Sequence, residues 1–562
     1  MSRLDDLARG YQSRLADLDP NYATQRGILG HDGELTDYSP DGEGAREELR
    51  RTSLARLEQV PDEEPHDRLA RTVMRERLQV HLDLFQSREW LRELSVFGPM
   101  VETSRVFDLM ARETDADWDL IAQRMSQVPQ ALAGIRATLR LGAESGRLAD
   151  RHQAEITSAR ARRWAGNSSE PGFFRQLAQS YPHRDEARAS RLQEEGARAD
   201  RAYLDFGEFL ERDYLPLTPA EEGCGPEAYG LGCRLYNGMA IDAQETYDWG
   251  WEELRRLRGE MDRTAQRILP GASLSEAIQL LDRDPARAVE GEDNLRRWLQ
   301  DFMDQTMSQL EGTHFDIPEP VQRVEAMLAP PGGSPAMYYT PPSEDFSRPG
   351  RTWYPTMGRT RFPLWTEVSV AYHEGVPGHH LQLGQICYLS PHLNPFQGLL
   401  GLISGQSEGW ALYAELLMGE LGFLENPDHY LGMLAMQAFR AARVVLDIGL
   451  HLHLQLPPGQ PFHPGEIWTR PLAVEFLLDL SARNEDFVRG EVDRYLGVPG
   501  QAISYKLGER VWLEVREAAK RNWGGQFSLK AFHRQALNLG SLGLEQLRQE
   551  MAQPQEPAPP GD

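Results

Sequence analysis

Apolar residues recur at helical spacing along much of this chain, and this periodicity limits the fold more than any other feature. Leu69, Val73, Val80 and Leu84 alternate with many Arg and Glu residues, and the pattern continues over residues 41–215. Such spacing is typical of amphipathic helices that bury one face. A chain of 562 residues also exceeds the size at which one hydrophobic core stops growing. We therefore expect a mainly α, multi-helix fold with at least two lobes and a cleft between them.

Changes in composition divide the chain into segments. Gly and Pro concentrate at residues 216–238, which predicts an interruption between an N-terminal helical scaffold lobe, residues 1–225, and a catalytic helical lobe, residues 226–550. Within the second lobe, residues 317–363 contain many Pro, Gly and aromatic residues and short β-prone runs, so we expect a small sheet there. The last residues, 551–562, are typical of a disordered tail.

Charge and cysteine content limit the classes of partner and compartment. The formal net charge of -25 argues against nucleic acid and anionic membranes as partners, because both attract clustered Lys and Arg. The segment from Met1 to Pro20 lacks the apolar run of a secretory signal, and no stretch resembles a membrane span. Cys224, Cys233 and Cys387 are too few for a disulfide framework, although Cys224 and Cys233 could pair. We expect reduced thiols and a cytoplasmic protein.

The run HEGVPGHH places His373, Glu374, His379 and His380 within eight residues. Zinc hydrolases often carry two His residues four apart on one helical face, with a Glu beside the first as general base. Here the position four residues after His373 is Pro377, so the standard pattern is absent. The crowding of potential ligands nevertheless predicts a metal site with Glu374 as the base.

The spacing of the two candidate His ligands requires a distorted helix. His373 and His379 are six residues apart, which separates them by about 9 Å along a straight helix and turns them to different faces. Pro377 and Gly378 provide a local widening that would return His379 to His373. Two alternatives stay open: His380 replaces His379 as ligand, or the His residues only mark a helix end near a turn.

The third metal ligand is expected to be a carboxylate on another helix. In the run SGQSEGWALYAELLMGE, Glu408 precedes an apolar helix on which Trp410, Tyr413 and Leu417 share a face. A buried acid in such a helix needs a partner such as a metal. Glu408 is the predicted ligand. Glu415 is predicted to contact a metal ligand without binding the metal itself. The alternative makes Glu408 a first-turn acid stabilised by the helix dipole.

A polar stripe on the apolar helix near residues 439–454 is a further candidate. Arg440, Arg443, Asp447 and His451 follow one another at helical spacing, so they face either solvent or a wet internal cleft. In a cleft, Asp447 or His451 would orient a metal ligand through its second nitrogen. Arg440 or Arg443 would receive a substrate carboxylate.

Three tyrosines are candidates for contact with substrate. Tyr505, in the run PGQAISYK, is a candidate donor to a developing oxyanion, although an isolated Tyr is more often a core or interface residue. Tyr338 and Tyr339 lie in an extended stretch that would hold a peptide as an added strand.

Six motifs spread over nearly the whole chain carry a family resemblance: YYTPPSEDFSRPG, HEGVPGHHLQ, EGWALYAE, RAARVVLDIGLH, PGQAISYKLG and FHRQALNLGSLGLEQL. Together they resemble the bacterial domain-of-unknown-function family 885, which is similar to the zincin superfamily of metallopeptidases. The resemblance implies a mostly helical fold with a small β element beside a deep cleft. It also implies metal ligands at His373, His379 and Glu408, with Glu374 as base. The longer spacing leaves the choice between His379 and His380 open.

The sequence therefore predicts a hydrolase, specifically a zinc metallopeptidase with one Zn²⁺ per chain that cleaves short peptides with metal-activated water. Two alternatives remain. One is a metal-dependent hydrolase of a non-peptide amide or ester at the same centre. The other is a non-catalytic helical binding protein with a structural metal site. The sequence does not predict the oligomeric state.

Overall fold

The computed structural model describes nearly all of the chain, and helices make up most of it. The described ranges are residues 2–64, 66–167, 169–182, 185–220, 222–329, 336–343, 345–481 and 483–553. The expectation of a mainly α protein with a small β element is confirmed. The predicted tail lies outside the described residues from position 554 onward. Among the residues that the structure describes, every helix is either too short or too polar to span a lipid bilayer.

The chain divides into two compact units, each of which is described by itself. The first contains Met1–Gly232, Leu450–Val474 and Asn484–Pro499, and the second contains Cys233–Gly449, Glu475–Arg483 and Gly500–Asp562. The boundary at residue 225 inferred from composition stays a prediction.

The N-terminal half of the chain is a series of helices joined by short turns. In chain order these are α1 Arg3–Leu18, α2 Pro20–Gln25, α3 Pro40–Leu57, α4 Asp67–Gln86, α5 Pro99–Arg105, α6 Asp115–Met125, α7 Val128–Glu144, α8 Arg151–Ala165, α9 Phe173–Gln179, α10 Glu186–Phe209 and α11 Gly225–Asn237. Polar N-cap residues determine where several of these helices begin. For example, the Ser2 hydroxyl accepts the N–H of Asp5, and the Asp5 carboxylate accepts the N–H of Ser2. Aromatic side chains such as Phe107, Phe174 and Tyr203 fill the core of this unit.

The Gly-rich stretch after residue 216 is more ordered than its composition suggests. We expected an interruption through residue 238, but α11 occupies most of this stretch. Glycine inside a helix costs only about 1 kcal/mol relative to Ala, and here it permits close packing. A side chain at Gly232 would overlap the carbonyl oxygen of Pro499.

The second half of the chain contains the remaining helices. These are α12 Ala243–Ile268, α13 Leu274–Arg283, α14 Glu292–Leu310, α15 Leu364–Glu374, α16 His379–Leu389, α17 Ser404–Glu420, α18 Pro427–Leu452, α19 Arg470–Leu480, α20 Glu485–Gly497, α21 Ser504–Trp523, α22 Leu529–Asn538 and α23 Leu544–Met551.

In the described part of the second unit, five short strands form two small sheets. They are β1 Ala288–Glu290, β2 Val324–Leu328, β3 Tyr338–Thr340, β4 Gly350–Tyr354 and β5 Arg361–Pro363. β4 is the centre of a three-stranded sheet, parallel to β2 and antiparallel to β3, and β1 pairs with β5. The sheets lie mostly within the segment that the sequence predicts, and they lead directly into α15.

Helices α17 and α21 approach each other closely in the core of the second unit. A side chain at Gly409 would overlap the backbone of Gly508, so both helices need glycine at this crossing. Beside it, Trp410 packs edge to face against Trp512, with ring centroids 4.9 Å apart. This contact positions the residues next to the glycines, Glu408 on one helix and the first turn of α21 on the other.

Candidate metal centre

The chain breaks its helix between the two candidate histidine ligands. It leaves α15 after Glu374 and enters α16 at His379. The N–H of Gly378 donates to the carbonyl of Tyr372, six residues earlier, at 3.0 Å. A side chain at Gly378 would overlap the carbonyl oxygens of Tyr372 and His373. The wide turn therefore requires glycine at this position.

The predicted widening of one continuous helix is thus replaced by two separate helices. Pro377 has no N–H to donate, and its peptide bond with Val376 is cis. The carbonyls of Pro377 and Gly378 instead accept the indole N–H of Trp410, at 2.8 and 3.1 Å. Trp410 therefore ties the connection to α17, the helix that carries the carboxylate ligand candidate.

The break brings together three side chains that the sequence identifies as ligands. Nε2 of His373 and Nε2 of His379 each lie 3.3 Å from the same Oε2 atom of Glu408. The three potential ligand atoms lie within 4.8 Å of one another. Tetrahedral coordination with bonds of about 2.0–2.1 Å separates ligand atoms by roughly 3.3 Å. The donor set and its spacing therefore fit a zinc ion.

Further side chains contact Nδ1 of His373 and of His379, the ring nitrogens that do not face Glu408. Nδ1 of His373 lies 2.7 Å from Oε1 of Glu415, whose other oxygen accepts the hydroxyl of Ser369. Nδ1 of His379 lies 3.3 Å from the hydroxyl of Ser407. Metal-bound histidines commonly have such outer partners, which turn the free nitrogen towards the ion. Reasoning from the sequence missed both serines, although Ser369 is four residues before His373 and shares its helical face.

The electrostatics of the group suit a cation. Burial acts to raise the pKa of Glu408, but the charges of His379 and His373 hold it well below its usual range. Burial lowers the pKa of His373, yet its bonds to Glu408 and Glu415 raise it to about 9. Burial raises the pKa of Glu374. The side chain of Glu408 is 21% exposed, so the group is in contact with solvent.

His380, the alternative ligand, is engaged elsewhere. Its Nε2 lies 2.7 Å from the carbonyl oxygen of Val321, and its Nδ1 lies 2.9 Å from the hydroxyl of Tyr339. Burial lowers its pKa to about 4. Tyr338 stacks on Trp353, with ring centroids 5.8 Å apart. His380 and Tyr339 therefore join α16 to β3, whereas Tyr338 packs within the sheet. His380 does not belong to the three-residue group.

Tyr505, the candidate donor to an oxyanion, lies beside the group. Its ring stacks on that of His373, with centroids 6.3 Å apart. The guanidinium groups of Arg443 and Arg440 lie over the ring of Tyr505, 4.5 and 5.8 Å from its centroid. Nη2 of Arg440 is also 3.9 Å from Oε1 of Glu415.

The other two residues of the polar stripe on α18 have different positions. Asp447 accepts the N–H of Gly500 at 3.0 Å and so holds the loop that leads to Tyr505. His451 belongs to the first unit, where its Nε2 lies 3.0 Å from the carbonyl of Tyr495. For the Nδ1 atoms of His373 and His379, Glu415 and Ser407 take the place that the sequence suggested for Asp447 or His451. The stripe extends over about 16 Å of helix, and its first two residues, Arg440 and Arg443, lie next to Tyr505.

The fold and this site define a mainly helical protein with a candidate metal centre of two histidines and a glutamate. A family model described as "Bacterial protein of unknown function (DUF885)" matches residues 20–551. The chain belongs to this family. No curated protein shows a significant match to it.

Two solved structures share the fold over nearly their whole length. One, described as "the putative lipoprotein from Colwellia psychrerythraea", has a TM-score of 0.83 and 22% identity, covering 98% of this chain and 98% of that chain. The other, described as "a putative lipoprotein of unknown function from Shewanella oneidensis", has a TM-score of 0.73 and 18% identity, covering 98% of this chain and 100% of that chain.

Proposed function

We propose that this protein is a zinc-dependent metallopeptidase, similar to the zincins, that hydrolyses short peptides in a deep cleft. The observation that carries the proposal is the position of one Glu408 oxygen, 3.3 Å from Nε2 of both His373 and His379. Two histidines and a glutamate are a common ligand set of catalytic zinc sites. Zinc bound there would supply Lewis acidity and lower the pKa of a water molecule towards 7.

The remaining residues have roles that follow from their positions. Glu374 follows His373 directly and is the candidate general base that takes a proton from the attacking water. Tyr505, stacked beside His373, is the candidate donor to the oxyanion of the transition state. Glu415 holds His373 in one orientation and with one tautomer.

The surroundings of the group favour a catalytic over a structural site. A structural zinc is normally enclosed by four protein ligands, whereas a catalytic one keeps a position for water. His380 was the nearest candidate for a fourth ligand in the sequence, but its two nitrogens contact Val321 and Tyr339. This supports an enzyme rather than a binding protein with a structural metal. In the described three-stranded sheet β3 is an outer strand, the position at which an extended peptide would add as a further strand.

The test combines metal content with peptide hydrolysis. Zinc is measured by elemental analysis in purified wild type, His373→Ala and Glu374→Gln, and each protein is incubated with a mixed library of short peptides. We expect about one zinc per chain in the wild type and in Glu374→Gln, with loss of zinc in His373→Ala. Turnover should fall about 10²–10⁴-fold in Glu374→Gln, because only the base is removed.

The outcomes separate the competing functions. Stoichiometric zinc without peptide cleavage would direct the search to non-peptide amides and esters at the same centre. Zinc that persists in His373→Ala, or a wild type that binds none even after zinc is added back, would refute the proposal. The cytoplasmic location stays a prediction, which fractionation of the native organism would test.

A further inference from the structure

Three guanidinium groups of the second unit gather beside Tyr505. Those of Arg440 and Arg443 lie 5.8 and 4.5 Å from its ring centroid. Nη1 of Arg440 and Nη2 of Arg483 both approach the sulfur of Met436, at 2.9 and 4.0 Å. The Tyr505 ring also stacks on the ring of His373. One aromatic ring therefore separates this arginine cluster from the metal ligands.

The cluster concentrates positive charge in a chain whose formal net charge is -25. The carboxylate of Glu415, 3.9 Å from Arg440, is already bonded to His373 and Ser369. Nε of Arg440 is buried and has no hydrogen-bond partner within the part of the chain that the structure describes. A buried guanidinium donor without an acceptor is costly. Because 11% of the Arg440 side chain is exposed, an anion bound beside this guanidinium would offset the cost.

The cluster reaches solvent at Arg483, and Arg443 is ordered in advance. Arg443 lies between two aromatic rings, 4.5 Å from the centroid of Tyr505 and 5.1 Å from that of Phe439, which holds its planar fork in place. Arg483 is exposed to solvent, yet desolvation and then the charge of Arg440 lower its pKa.

We propose that Arg440, Arg443 and Arg483 bind the free C-terminal carboxylate of the substrate, so that the enzyme is a carboxypeptidase. This inference rests on the proposed peptidase function and specifies its substrate class. Arginine forks match carboxylates with two parallel hydrogen bonds. Water adds its oxygen to the scissile carbonyl carbon, and the C–N bond breaks. The released amine takes the proton that Glu374 accepted from the water.

The first experiment measures binding without catalysis. The protein carries Glu374→Gln and is treated with a chelator, and calorimetry follows binding of acetyl-trialanine as free acid and as C-terminal amide. We expect the acid to bind roughly 30-fold more tightly or better. Arg443→Met keeps the apolar packing between the rings and should abolish the difference. Arg510→Met is the matched control, because Arg510 also lies on an aromatic ring, 4.8 Å from the centroid of Trp249.

The second experiment measures hydrolysis by zinc-loaded protein with the wild-type base. In the wild type, kcat/KM should be roughly 30-fold higher for the acid than for the amide. Arg443→Met and the exposed Arg483→Gln should remove this preference mainly through a higher KM for the acid, whereas Arg510→Met should keep the preference of the wild type. An amidated tripeptide that ends in glutamate has a side-chain carboxylate but no C-terminal carboxylate. It tests whether the arginines bind the side-chain carboxylate instead.

The outcomes distinguish this inference from the proposed function. Equal binding of acid and amide refutes the arginine site, even if peptides are cleaved. Recognition only of the glutamate side chain refutes the C-terminal assignment. The protein could instead bind the acid selectively through Arg443 and yet cleave no peptide. That result would support the carboxylate-binding site and refute the proposed peptidase function.

Discussion

Glu415 lies 2.7 Å from Nδ1 of His373, and this contact turns Nε2 of the same ring towards Glu408. Glu415 is fully buried, and its second oxygen is held by Ser369. Such outer carboxylates raise the basicity of a histidine ligand and set its tautomer. The contact therefore makes Glu415 a positioning residue for the metal centre.

Replacing Glu415 should weaken metal binding without removing a ligand. We expect Glu415→Gln to lower zinc affinity about 10–100-fold, because the amide keeps the volume but loses the negative charge behind His373. Competition with a chromophoric chelator measures the affinity. Glu425→Gln, an exposed change after the same helix, should bind zinc like the wild type. Unchanged affinity in Glu415→Gln would show that the contact has no role at the metal.

Adjacent histidines on α16 should respond differently to substitution. His379→Gln should lose zinc, because it removes a ligand. His380→Gln should keep zinc but lower the free energy of unfolding by about 1–3 kcal/mol, because the bonds to Val321 and Tyr339 are disturbed. Elemental analysis and urea denaturation measure the two effects. Loss of zinc in His380→Gln with retention in His379→Gln would reverse the assignment of the ligand.

This pair of histidines shows how far the sequence could predict the site. The six-residue spacing and Pro377-Gly378 were enough to predict that a regular helix does not continue from His373. They did not distinguish His379 from His380, because the partners of His380 come from distant segments of the chain. Contacts of this kind depend on tertiary packing, which has no local signal in the sequence.

The same limit applies to other elements of the fold. Spacing predicts the polar stripe on α18, but it does not show that Asp447 contacts the loop before Tyr505 or that His451 contacts Tyr495. Composition predicts an interruption at the Gly-rich run near residue 230, because composition alone does not show which glycines permit close packing. Helical periodicity, in contrast, predicted the mainly helical fold correctly, because it depends only on local spacing.

The first turn of α21, next to Tyr505, depends on a buried charge. Nζ of Lys506 lies 2.5 Å from a carboxylate oxygen of Glu509 and 2.9 Å from one of Glu253, and it also contacts the side chain of Gln437. Removing one partner of a buried ion pair leaves the other charge uncompensated. We expect Lys506→Met to lower the free energy of unfolding by about 3–5 kcal/mol, measured by urea denaturation.

Two further variants test this explanation. Lys506→Met combined with Glu509→Gln should recover part of the loss, because one unpaired carboxylate is removed. Lys520→Met, on the same helix but with 41% of its side chain exposed, should change stability little. A Lys506→Met protein as stable as the wild type would show that the pair does not stabilise α21.

The stability of the protein should fall at mildly acidic pH because of His533. This residue is buried, stacks on Phe315 with centroids 4.8 Å apart, and bonds through Nε2 to the hydroxyl of Tyr413 at 2.8 Å. Burial, and then the charge of Arg516, lower its pKa from 6.5 to about 3. Between these values the unfolded chain binds a proton that the folded chain does not, so the free energy of unfolding decreases as the pH falls. The decrease should be about 2 kcal/mol from pH 6.5 to pH 5. Urea denaturation over this range measures how steeply the free energy of unfolding depends on pH. This dependence should be shallower in His533→Gln, by about one proton, whatever the absolute stability of the variant. Equal pH dependence in both proteins would contradict the role of His533.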